Sequence, residues 1–132
     1  MPRILLAGSS ERISFVAGAL SQFQVFQAQN IQQAKHLLDE LEFDAILCST
    51  HFDDAKMFDL LKLIRDEQVA TQTKFICLAE SSRIPARVMQ DSISIATRYL
   101  GASACLALES YGLDDASKVA IQHDVTTIIN TV

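Results

Sequence analysis

Ser49 and His51 stand two residues apart after an apolar run, and a Ser/His pair suits nucleophilic catalysis in which the imidazole takes the hydroxyl proton. That chemistry also needs an oxyanion donor and a third group to orient the base, and the sequence supplies neither. His51 is therefore read as an exposed loop residue, and hydrolysis by this pair is set aside. Asp53 and Asp54 have the side chains of a relocated phosphate acceptor or a metal site. They immediately precede a helical pattern, where carboxylates are favoured by the positive end of the helix. The Gly8-Ser9-Ser10 turn combines backbone N–H groups and two hydroxyls ahead of a helix, the makings of a small anion site. It is shorter than a dinucleotide-binding or P-loop motif, and a serine N-cap on a tight turn is the preferred reading. Cys48, Cys77 and Cys105 each lie within a short apolar run without CxxC or histidine spacing, so they are read as buried thiols in a reducing compartment. His36 and His123 fall on polar helix faces. No catalytic residue, metal ligand or cofactor is assigned.

The elements that must position these residues alternate along the whole chain. Arg3 to Ala7 (RILLA) is a continuous apolar run suited to a buried parallel strand. Glu11 to Phe23 follows with helical spacing at Ile13, Val16, Ala17, Leu20 and Phe23. Gln24 to Ala28 predicts a second strand, and Asn30 predicts the cap of a helix carrying Ile31, Ala34, Leu37, Leu38 and Leu41, with Gln33 completing a capping box. Asp44 to Ser49 predicts a third strand, followed by a helix with Phe58, Leu60, Leu61 and Ile64 turned inward. Lys74 to Ala79 and Ala104 to Leu108 predict the last two strands, and Leu113 to Ile129 the final helix. Strict alternation with short connections implies an α/β domain, a parallel sheet with right-handed crossovers and helices on both faces.

The 132 residues suit one domain spanning 1–132, and 49% apolar with 20% charged residues is enough to build a core. A net charge of −5 without a Lys/Arg cluster argues against direct nucleic-acid contact and against anionic membranes. No signal-peptide pattern opens the chain and no apolar run approaches ~18 residues; a cytoplasmic location is expected.

Four stretches, RILLAGSS, DAILCS with its downstream FDLLKLIR, KFICLAE and YLGASACLAL, together resemble the receiver domain of bacterial response regulators over nearly the whole chain. The resemblance implies a flavodoxin-like, CheY-like doubly wound sheet of five parallel strands, (βα)5, in three layers. In such sheets ligands gather at the carboxyl ends of the strands beside the switch in strand order. Receivers carry an acidic pair after the first strand, a phosphoacceptor aspartate ending the third, a Thr or Ser ending the fourth and a Lys ending the fifth. Laid on this chain, the acidic pair falls on Gly8 and Ser9, the acceptor on Ser49, the hydroxyl on Ala79 and the lysine on Leu108. Gly8 and Ser9 provide no anionic Mg²⁺ ligand. Ser49 is a weak nucleophile without a base or metal, and Leu108 cannot neutralise an acyl phosphate.

Between the last two strands lies Ser81 to Leu100, and its segment from Ile84 to Leu100 is longer, by about two turns, than receivers usually have here. At ~100° per residue, Ile84, Val88, Ile95 and Tyr99 form one stripe with Met89, Ile93, Ala96 and Leu100 beside it, an apolar face wider than docking on a sheet requires. Receivers commonly use the helix between the fourth and fifth strands, the fifth strand and the last helix for dimerisation and output. The resemblance thus puts Val88, Met89, Ile93, Ile95 and Tyr99 on an interaction face. The expected function is that of a degenerate receiver, a phosphorylation-independent protein-interaction module in two-component-like bacterial signal transduction. Its partner would be a signalling kinase, an output domain or a second copy forming a homodimer. The alternative is a flavodoxin-like sensor that takes a small molecule or anion into the vacated strand-end region.

Overall fold

The computed structural model describes residues 2–50, 52, 57–66, 73–79, 104–108 and 111–130. Along them run β1 (Arg3–Ala7), α1 (Glu11–Ala19), β2 (Gln24–Ala28), α2 (Ile31–Glu40), β3 (Ala45–Ser49), α3 (Met57–Asp66), β4 (Lys74–Ala79), β5 (Ala104–Ala107) and α4 (Asp115–Ile129). The five strands pair in parallel in the order β2-β1-β3-β4-β5. The chain steps outward from β1 to β2 and then crosses back over β1 to β3, so the switch in strand order lies between β1 and β3.

Side chains in a strand alternate between faces, and this period divides the core in two. Leu5, Ala7, Ile46, Cys48, Phe75 and Cys77 face α2 and α3, which contribute Ala34, Leu38, Met57, Leu60, Leu61 and Ile64. Ile4, Leu6, Ala45, Leu47, Ile76 and Leu78 face the other way, toward Ile13, Val16 and Ala19 of α1 and Ile121 and Val125 of α4. Helices therefore cover both faces of a sheet whose inner strands are apolar on both sides, the arrangement their unbroken apolar runs predict.

Three helix starts use side-chain caps of about 1 kcal/mol each. Ser10 accepts from the Ile13 N–H at 3.3 Å, so of the two serines in the Gly8-Ser9-Ser10 turn it is Ser10 that caps the helix. Asn30 accepts from the Gln33 N–H at 2.8 Å. The Gln33 side chain returns one residue further upstream than a capping box requires, accepting from the Gln29 N–H at 2.8 Å. Asp114 accepts from the Ser117 N–H at 2.9 Å, while the Ser117 hydroxyl accepts from the Gly112 N–H at 2.8 Å. The last helix consequently starts after Asp114, not at Leu113, which is 66% exposed.

The first helix is also shorter than its pattern predicts. It ends at Ala19, where the Leu20 N–H bonds back to Val16 and Ala17, and the Phe23 N–H then turns onto the Leu20 carbonyl at 2.9 Å. Leu20 and Phe23 remain buried in the same cluster as Ile13 and Val16, so the apolar spacing outlasts the helix. Asp44 lies just before β3 rather than within it. Its carboxylate accepts from the Arg3 N–H at 2.8 Å and its backbone carbonyl from the Lys74 N–H at 3.2 Å. Arg3 Nη1 donates to the Glu42 carbonyl at 2.9 Å, and Thr73 Oγ1 donates to the Phe43 carbonyl at 2.8 Å. The amino ends of β1, β3 and β4 are thus held together by polar contacts.

Candidate functional site

At the carboxyl end of β1, the Gly8 N–H donates to the Ala28 carbonyl at 2.9 Å, and the Gly8 carbonyl accepts from Gln27 Nε2 at 2.9 Å. These bonds fix Gly8 at φ +150°, a conformation that side-chain-bearing residues rarely adopt. A Cβ there would lie 2.9 Å from Ile13 Cγ1 and 3.1 Å from Ser49 Cβ. Position 8 therefore has neither the backbone nor the space for a carboxylate. Ser9 is exposed, and Ser10 is occupied as the cap of α1.

Ser49 ends β3 at 1% exposure beside Gly8, and its carbonyl accepts from the Phe52 N–H at 3.1 Å. Ala79 ends β4, buried and paired with Ala107 of β5. Leu108 follows β5 at 2% exposure and belongs to the cluster that contains Ile13, Leu78, Ile121 and Val125. The structure thus brings Gly8, Ser9, Ser49, Ala79 and Leu108 to one edge of the sheet, where Gly8, Ser49, Ala79 and Leu108 are buried. Among the described residues no group of three or more His, Cys, Asp or Glu side chains is arranged to hold a metal ion.

Among the described residues, a guanidinium that sequence reasoning did not single out lies at this edge. Arg12, in the first turn of α1, reaches across to β5, and its Nη1 donates to the carbonyls of Leu108 at 2.9 Å and Tyr111 at 3.0 Å. The Tyr111 N–H also donates to the Leu108 carbonyl at 3.2 Å, so that carbonyl accepts from both Arg12 and Tyr111. The Tyr111 hydroxyl donates to Asp124 Oδ2 of α4, and burial together with that carboxylate holds the phenol well above its ordinary value. No local pattern marks Arg12, because its partners are 96 and 99 residues away.

An open groove of about 560 Å³ runs between β2 and α2, lined by Gln27, Asn30, Gln32, Gln33, His36 and Leu37. The Gln27 amide is bound to Gly8, and Asn30 and Gln33 are engaged at the start of α2. His36 is exposed and pairs with Glu40 at 3.3 Å, and His123 is exposed on α4. His51, Asp53 and Asp54 lie outside the described residues, as do Val88, Met89, Ile93, Ile95 and Tyr99 of the expected interaction face.

Solved structures match this arrangement over the full chain. A response regulator from Thermotoga maritima superposes with a TM-score of 0.72 at 23% identity, covering 99% of each chain. The chemotaxis response regulator CheY4 of Vibrio cholerae gives 0.74 at 16% identity, covering 97% of this chain and 98% of its own. The Mn²⁺-bound form of response regulator Rcp1 gives 0.76 at 17% identity, covering 100% and 97%. The fold is that of a response-regulator receiver domain. No protein-family model matches the sequence, and no curated protein does. Within the receiver fold, Gly8 and Ser49 lie at the carboxyl ends of the two strands flanking the switch in strand order, where ligands of doubly wound sheets gather.

Proposed function

We propose that this chain is a degenerate receiver that acts in two-component-like bacterial signal transduction through protein contact, without aspartyl phosphorylation and without catalysis of its own. The observation that carries this reading is Gly8. Its positive φ and the 2.9 Å approach of Ile13 Cγ1 to a notional Cβ leave no room for an acidic side chain at the head of the site. Magnesium-dependent phosphoryl transfer depends on carboxylates that hold the cation and on a cation that neutralises the transferred group. Gly8 and Ser9 supply no carboxylate, and apolar Leu108 occupies the lysine position. Rcp1 has been solved with Mn²⁺; at the ends of β1 and β3 this chain offers Gly8, Ser9 and Ser49, none of them an anionic ligand. The packing of Ile13 and Leu108 into this edge also favours an interaction role over a sensor with a ligand in the vacated region.

The partner is a signalling kinase, an output domain or a second copy, and the contact we favour is the apolar stripe that Val88, Met89, Ile93, Ile95 and Tyr99 form at helical spacing in the sequence. The acidic balance fits a cytoplasmic protein that avoids nucleic acid, and no described helix is long and apolar enough to cross a membrane. Amide chemical shifts of the full chain, recorded with Mg²⁺ and a beryllium fluoride phosphate mimic, test the reading. The amides of Gly8, Ser9, Ser49, Ala79 and Leu108 are expected to stay in place. Shifts around Ser49 that require Mg²⁺ would overturn it. Replacing Met89 and Ile93 by serine is expected to weaken association in solution while the chain stays folded; unchanged association would remove this segment from the interface.

A further inference from the structure

One row of the sheet contains only small side chains. Ala28 pairs with Ala7, Ala7 with Cys48, Cys48 with Cys77 and Cys77 with Cys105, across all five strands. All five side chains lie on the face covered by α2 and α3, where Phe52 and Met57 are also buried. Small size explains why this row suits close packing, and alanine would satisfy that need as well as cysteine. The three thiols add chemistry that packing does not require.

They are not equivalent. Cys48 and Cys77 are buried on inner strands, whereas Cys105 is partly exposed on β5, at the edge of the sheet. Cys48 Sγ donates to the Ser49 carbonyl at 3.6 Å. The thiols of Cys77 and Cys105 are in hydrogen-bond contact with each other, and this contact together with burial keeps Cys77 protonated. Neighbouring strands are ~4.8 Å apart, and a disulfide accepts Cα separations of ~4.4–6.8 Å when both Cβ atoms project to the same side. Cys77 and Cys105 meet both conditions, being direct register partners on one face.

We propose that Cys77 and Cys105 are an oxidation site that takes a hydroperoxide and closes to a cross-strand disulfide. Cys105 reacts first because it is the accessible thiol. Its thiolate attacks one peroxide oxygen, the O–O bond breaks, and hydroxide (from hydrogen peroxide) leaves, giving Cys105 sulfenic acid. The Cys77 sulfur then attacks that sulfenic sulfur, forming the S–S bond while the S–O bond breaks. Water departs with the Cys77 proton. The peroxide is reduced by two electrons and the thiol pair is oxidised by the same number, which ties the edge strand β5 covalently to β4.

The test treats the full chain with hydrogen peroxide, unfolds it, alkylates it with N-ethylmaleimide and maps the peptides by mass. Alkylation is expected to fall from three thiols to Cys48 alone. A Cys77–Cys105 linked peptide should appear and vanish after dithiothreitol. The Cys48→Ala chain should retain the link, and Cys105→Ser should abolish it. Three alkylated thiols after oxidation would overturn the proposal. So would sulfinic acid on Cys105 with Cys77 still alkylated, or a Cys105 disulfide between two chains.

Discussion

The two ends of the sheet are built in opposite ways. At the amino ends of β1, β3 and β4, charged and hydroxyl side chains bind backbone groups, as Arg3, Asp44 and Thr73 do. At the carboxyl ends, where a doubly wound sheet conventionally places its polar chemistry, Gly8, Ser49, Ala79 and Leu108 are packed out of water. The one guanidinium in that region among the described residues, Arg12, binds carbonyls. Among the described residues, four of the positions at this end therefore belong to the buried part of the molecule. Position 8 is closed to a larger side chain by its own backbone conformation and by Ile13.

The sharpest way to break this comparison is to return an acid to the closed end. Gly8→Asp combines an unfavourable φ, a clash with Ile13 and a buried unpaired charge, and is expected to lower stability by about 3 kcal/mol or more. Urea unfolding measures this, and a near-neutral result would show that the carboxyl end is looser than its packing indicates. Next in size, Arg12→Ala leaves the Leu108 and Tyr111 carbonyls without the guanidinium and should cost about 1–2 kcal/mol. At the opposite end, Thr73→Val removes one hydroxyl donor from the Phe43 carbonyl and should cost about 1 kcal/mol or less. Equal losses for the two would erase the distinction between the ends.

The smallest effect is one of pH. The Ser117 hydrogen bonds at the start of α4 lower the Asp114 carboxyl below its ordinary 3.8. A depressed folded value means that this contribution is fully present above the unfolded value and is lost as pH falls through the lower folded one. The first turn of α4 should fray below about pH 4, seen as movement of the Ser117 amide resonance. Asp114→Asn should keep the cap and remove the pH dependence.

Much of the frame was legible because strands and caps are local. Apolar runs marked β1, β3, β4 and β5, and the Gly8-Ser9-Ser10 turn and Asn30 marked the starts of α1 and α2. The residue types at the carboxyl edge could be read directly, and the structure gathers Gly8, Ser49, Ala79 and Leu108 there in buried positions. Where the sequence misled, one pattern served two structures. Leu20 and Phe23 continue the helical spacing of Ile13 and Val16, yet they reach the same cluster from a turn. Arg12 could not be foreseen, because the carbonyls it binds are set by the approach of α1 to β5 and not by neighbours in the chain. The φ of Gly8 likewise comes from its bonds to Ala28 and Gln27 on the adjacent strand.

The Arg12 bridge has a further consequence for how the molecule assembles. It joins the first helix to Leu108 and Tyr111 beyond the last strand, and Gln22, past the end of that helix, donates to Thr126 of α4 at 3.2 Å. During synthesis the opening βα unit emerges with Ile13, Val16 and Leu20 exposed, and it cannot bury them fully until about a hundred more residues have followed. Complete burial of these side chains needs Ile121 and Val125 of α4, so the cluster draws on nearly the whole length of the chain.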